Sequence, residues 1–111
     1  MLFRSVFWID AEDHDWDEVR SCAVLEEALE TRVISLPPRN SADHAPVATG
    51  RLDGSIEAAM NELERTLPAT EFRATLLAQL RDAYAPGVGM AEAFGRWLEH
   101  EIGRASCRER V

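Results

Sequence analysis

The stretch FWIDAEDHDWDE, residues 7 to 18, places six carboxylates within nine residues: Asp10, Glu12, Asp13, Asp15, Asp17 and Glu18, with His14 among them. Like charges this close repel, so the run suggests a task beyond local stability. Three tasks fit the residue types. Hard carboxylate oxygens hold Mg²⁺ beside a nucleotide phosphate. Carboxylates bind a substrate ammonium group. An imidazole, which titrates near neutral pH, takes a proton as general base. A structural alternative stands beside these. Asp13 or Asp15 caps a following helix, and Asp17 and Glu18 in its first turn complement the helix dipole. No second histidine follows His14 at helical spacing, and His44 lies in a separate loop, so no standard zinc motif is present.

The elements around this run set its place in a fold. LFRSVFWI, residues 2 to 9, is rich in β-branched and aromatic residues and reads as a buried strand that the acidic run punctuates. If that strand is parallel, the carboxylates fall beyond its carboxyl end, where open α/β sheets bind ligands. Short apolar segments around Cys22 to Leu25 and Arg32 to Leu36 read as a hairpin. A helix through VLEEALE is the rival, because Glu, Ala and Leu favour helix. Residues 37 to 54, PPRNSADHAPVATGRLDG, form a polar loop longer than most loops in compact domains.

Three helices are expected after it. Ile56, Met60, Leu63 and Leu67 share a face of the first, with Asp53 or Ser55 as cap and Pro68 as stop. Phe72, Leu76, Leu80 and Tyr84 recur every four residues in the second, with Thr70 as cap and APG at 85 to 87 as stop. Phe94, Trp97 and Leu98 line the third, from about Met90. Each stripe, with Tyr84 and Trp97, reads as core packing, and Cys22 reads as a small buried residue.

The 111 residues allow one small domain, and 46% hydrophobic content marks it as globular. Net charge is −8, and all twelve basic residues are arginine. With no basic stripe, neither nucleic acid nor an anionic membrane is expected as partner. No apolar run spans a bilayer and no secretory leader is visible, so the expected location is the cytoplasm. EIGRASCRERV, residues 101 to 111, resembles a translated sequencing adapter. It is set apart as a non-native tail, with Arg104, Cys107, Arg108 and Arg110, leaving a domain over 1–100 and Cys22 as the one native cysteine. The natural chain is expected to continue past His100. A chain opening on a buried strand is also expected to lack a preceding segment.

VFWIDAEDHDWDEV, residues 6 to 19, closely resembles the segment VFW-[IV]-x-x-EDHD-x-DE of the cysteine-adding enzymes of bacillithiol biosynthesis, the BshC family. Residues 63 to 98 are similar to the next part of that family's pattern: a helix, TEF, another helix, Y-x-PG, then AFxxxL. The resemblance covers residues 2 to 100. It implies an α/β fold, here a fragment of a Rossmann-like core with a few strands followed by about three helices, and a coiled coil later in the parent chain. It implies the last step of bacillithiol synthesis, in which cysteine is joined to the amine of glucosaminyl-malate. Amide formation needs an activated carboxyl group, so ATP with Mg²⁺ is expected on chemical grounds. A homodimer of the full-length parent is also expected.

By position, Glu12, Asp13, His14 and Asp15 match the family's EDHD, and Asp17 and Glu18 match its DE. The resemblance thus assigns His14 and Asp15 to catalysis and Glu12, Asp13, Asp17 and Glu18 to substrate binding, with no resident metal. Asp10 stands where the family carries a small or apolar residue. The family's Gly- and Gln-rich loop is absent, so this chain is expected to hold half a site and to be inactive alone. Two other readings remain: a metal-dependent phosphate-handling α/β enzyme, and a non-catalytic α/β interaction domain.

Overall fold

A computed structural model describes residues 6–13, 15–39 and 45–102. The chain is an α/β domain with element order α1 (Trp16–Val19), β1 (Ser21–Leu25), β2 (Thr31–Ser35), a 3-10 turn at Val47–Thr49, α2 (Ser55–Thr66), α3 (Arg73–Ala83) and α4 (Met90–Ile102). The hairpin reading holds and the rival helix does not. β1 and β2 pair antiparallel, with Cys22 opposite Ile34 and Val24 opposite Arg32. The turn closes through Leu29 N–H donating to the Glu26 carbonyl at 2.8 Å and Glu26 N–H donating to the Glu30 carbonyl at 3.0 Å. Leu29 sits at φ 63°, left-handed backbone that costs a non-glycine residue about 1–2 kcal/mol.

The three later helices form as their periodicity implies. Ile56 and Met60 of α2 are buried; its N-cap is Gly54, not the expected Asp53 or Ser55, and Asp53 just before it accepts with Oδ1 the Ser55 backbone N–H at 2.9 Å and the Ser55 hydroxyl. Those bonds hold the Asp53 carboxyl below its ordinary 3.8, the hydroxyl first and the backbone second. α3 starts later than expected. Thr70 contributes only its backbone carbonyl, to Arg73 N–H at 3.3 Å, and Phe72 lies 71% exposed. Phe72 is the N-cap, its carbonyl accepting Leu76 N–H at 3.0 Å, and the helix buries Leu77, which the expected stripe did not include. Gly87, at φ +86°, ends the turn after Tyr84.

The core gathers Leu36, Val47, Leu52, Ile56, Met60, Met90 and Ala93, with Trp16, Leu80 and Tyr84 packed against it. Val47 and Leu52, each 5% exposed, come from the stretch read as a polar loop. Two apolar residues there are drawn inward while the polar ones face water.

Two expectations are corrected. Residues 6–10 carry no ladder, and Val6 and Trp8 are 87% and 84% exposed. A β-branched run becomes a strand only when a neighbour supplies backbone partners, and none lies beside it among the described residues. The segment instead rests on α4, with Phe7 tilted against Phe94 at 5.9 Å between centroids. Cys22 is exposed, because the inner face of the hairpin opens onto a groove of about 420 Å³ instead of a filled core. Tyr84 and Trp97 are only half-buried on that groove. Burial still pushes the Tyr84 hydroxyl above its ordinary value, with the nearby Cys22 adding to the effect.

Ile56 is 4% exposed at the centre of the core. Ile56→Ala should lower the unfolding free energy by about 2–5 kcal/mol, read by denaturant titration. Leu29→Gly should raise it by up to about 1 kcal/mol, the relieved strain less the extra freedom of the unfolded chain, while Leu29→Val should lower it.

Candidate functional site

The acidic run is built into a folded corner. Ala11 N–H donates to the Ile9 carbonyl at 2.9 Å and Asp13 N–H to the Asp10 carbonyl at 3.4 Å, turning the chain sharply. The 3-10 segment holds that turn. Val47 N–H donates to the Asp13 carbonyl at 2.8 Å, and Ala48 N–H to the Ala11 carbonyl at 3.0 Å. Asp13 Oδ1 accepts the Asp15 N–H at 3.1 Å, and Asp15 Oδ1 accepts the Glu18 N–H at 3.2 Å as the N-cap of α1. Asp17 and Glu18 occupy the first turn of that helix, where negative charge is favourable.

Three basic or aromatic side chains brace the corner. Arg20 donates from Nε to Asp17 Oδ1 at 2.8 Å and from a terminal nitrogen to the Leu36 carbonyl at 2.9 Å. Trp16 donates from Nε1 to the Pro37 carbonyl at 3.0 Å, and the Arg39 guanidinium stacks over its ring at 4.4 Å. The corner is thereby fixed to the chain leaving β2.

The structure thus brings Glu12, Asp13, Asp15, Asp17 and Glu18 to one exposed surface corner. His14 lies outside the described residues, as does His44. Asp13, Asp15 and Asp17 direct a carboxylate oxygen to a backbone N–H or to Arg20, so part of each does structural work. Glu12 and Glu18 have no side-chain partner among the described residues. Among those residues no three His, Cys, Asp or Glu side chains converge on a metal position. Sequence reasoning passed over Trp16, Arg39 and Arg51. Their signal was the isolation of arginines in PPR and TGR, at either end of a long loop in a strongly acidic chain.

The geometry defines the class as an α/β domain with an acidic corner on its surface, and the family match makes it Rossmann-like. A family model described as the N-terminal Rossmann-like domain of bacillithiol biosynthesis BshC matches residues 3–102. The chain belongs to that BshC family. It is 36% identical over 96 residues to a protein of Salinibacter ruber named "Putative cysteine ligase BshC", a match covering 84% of this chain and 17% of that protein. Proteins of the same name from Symbiobacterium thermophilum and Chlorobaculum tepidum are 37% and 35% identical, over 74% and 86% of this chain and 15% and 17% of theirs. The chain therefore spans about a sixth of the length of these curated relatives. No solved structure matches it. No helix among the described residues is long and apolar enough to cross a membrane.

Capping and charge can be separated at Asp15. An asparagine keeps the side-chain oxygen that receives Glu18 N–H, whereas alanine removes it. Asp15→Ala should destabilise the chain by about 1 kcal/mol and Asp15→Asn by only a few tenths, measured by thermal unfolding.

Proposed function

We propose that the chain is part of a cysteine ligase whose full-length form adds cysteine to the amine of glucosaminyl-malate, the last step of bacillithiol synthesis, in the cytoplasm. The observation that carries this reading is the EDHD-x-DE run, whose described carboxylates lie on one exposed corner within a domain that matches the family over residues 3–102. In this reading His14 and Asp15 act on the substrate amine. An amine must lose a proton as it attacks an acyl carbon, and an imidazole near neutral pH is suited to take it. Glu12, Asp13, Asp17 and Glu18 bind the ammonium form and hold the histidine in place.

Amide formation requires an activated carboxyl group, which ATP with Mg²⁺ would supply. The described carboxylates do not fit a resident Mg²⁺. Asp13, Asp15 and Asp17 are turned to backbone or Arg20, and no three carboxylates converge among the described residues. We assign the Mg²⁺ site to the remainder of the full-length polypeptide, which we expect to act as a homodimer. The 111-residue chain should be inactive alone.

The test uses a full-length enzyme carrying this domain, assayed for cysteine addition. Replacing His14 with Ala should lower kcat at least a hundredfold with the thermal midpoint unchanged. Asp15→Asn should also lose activity while retaining its cap. Wild-type activity in both variants would sink the catalytic assignment.

A further inference from the structure

A second cleft adjoins the acidic corner, on the far side of Trp16. It has a volume of about 310 Å³, and its lining includes Trp16, Arg39, Thr49, Arg51, Asp53 and Ser55. Unlike the groove beside the hairpin, its lining is as polar as it is apolar, and it holds two guanidinium groups in a chain of net charge −8.

Both arginines are held in place. Arg39 stacks on the Trp16 ring and donates to the Ala45 carbonyl at 3.0 Å. Its guanidinium occupies the space beside Gly50 that a Cβ would need, so the glycine makes the seat for the arginine. Arg51 donates from one terminal nitrogen to the Gly87 carbonyl at 2.8 Å, which anchors it across the α3–α4 turn. It forms no ion pair among the described residues and keeps its other N–H donors for a further acceptor. Immobilised guanidinium forks match planar carboxylates and tetrahedral phosphates, and they lose little entropy on binding either.

We propose that this cleft binds an oxyanion, a carboxylate or phosphate group of a small molecule, at the spare donors of Arg51, with the charge of the stacked Arg39 on the same lining. Among the described residues, one carboxylate lines the same cleft. Asp53 is committed to Ser55 at the start of α2, and its charge sets a limit on affinity. The link to the acidic corner rests on the ligase reading: an amine at Glu12–Glu18 and an anionic group in the cleft would be two ends of one substrate. The anion site itself is measured without that reading.

The experiment titrates the 111-residue chain with inorganic phosphate and, separately, with succinate at constant ionic strength, followed by ¹H–¹⁵N NMR. Saturable shifts confined to Trp16 Nε1–H and the amides of residues 49–53 support the site. Phosphate alone, succinate alone or both then decide which oxyanion it takes. Arg51→Gln should weaken binding at least tenfold. Asp53→Asn should tighten it severalfold. Gly50→Ala, which displaces the flexible end of Arg39, should weaken binding while leaving the remaining spectrum folded. Linear shifts spread over the whole surface, or saturable binding unaffected by Arg51→Gln and Gly50→Ala, would overturn the proposal. Loss of ligase activity in the full-length His14→Ala variant with oxyanion binding intact would support both readings. An active His14→Ala and Asp15→Asn pair with intact oxyanion binding would remove the catalytic assignment and leave the cleft.

Discussion

The rest of the structure depends on a short backbone clamp between residues 50–52 and the turn joining α3 to α4. Leu52 donates its N–H to the Val88 carbonyl at 2.8 Å and accepts the Gly87 N–H at 2.7 Å, while Met90 N–H reaches the Gly50 carbonyl at 3.4 Å. The clamp satisfies buried backbone groups that would otherwise be costly. It also sets Leu52 into the core between Ile56 and Met90. From that fixed point the chain runs back to Val47 and Ala48, whose N–H groups hold Asp13 and Ala11. The acidic corner is thus tied, bond by bond, to the helices as well as to the chain leaving β2.

Close approach explains why glycines sit at the clamp. Gly87 takes a left-handed turn, and a Cβ on Gly89 would come 3.3 Å from the Ala48 carbonyl oxygen. The antiparallel bridge of Arg51 with Gly89 passes through that gap. The same clamp orients Arg51 toward Gly87 and so shapes one wall of the polar cleft. Local chain reversal, core burial and the placement of charged groups are therefore one arrangement.

How much of the fold was legible in the sequence depends on how local each cause is. The stripe of Ile56 and Met60 repeats within a few residues and α2 buries it, whereas α4 buries Met90 and Ala93 and leaves the expected Phe94, Trp97 and Leu98 half-buried. The hairpin was legible because two β-prone runs flank a short polar turn. The clamp was not legible, since Leu52 and Val88 are far apart in sequence and neither residue type announces the pairing. The exposed VFWI run misled for a related reason. Its composition suits a strand, but strand formation is decided by a neighbouring backbone that composition does not record. The EDHD run was legible as a unit through the family pattern, whereas the Trp16–Arg39 stack that braces it arises only when the chain leaving β2 returns to α1.

The crowding of carboxylates has a more specific meaning once their partners are known. Six acidic groups in nine residues suggested a surface that needed a ligand. Three of them already have local partners: Asp13 turns the chain, Asp15 caps α1 and Asp17 meets Arg20. These bonds offset part of the mutual repulsion, because each carboxylate faces a donor rather than only its neighbours. They do not exhaust the oxygens, since a carboxylate accepts several hydrogen bonds and each of the three shows one through a single oxygen. Their structural work therefore leaves acceptor capacity in the same side chains. A capping aspartate is held in one orientation by its own helix, and a group so held loses less freedom when it meets a substrate. In this corner, the stability of a four-residue helix and the orientation of the Asp15 carboxylate rest on the same hydrogen bond from Glu18 N–H to Asp15.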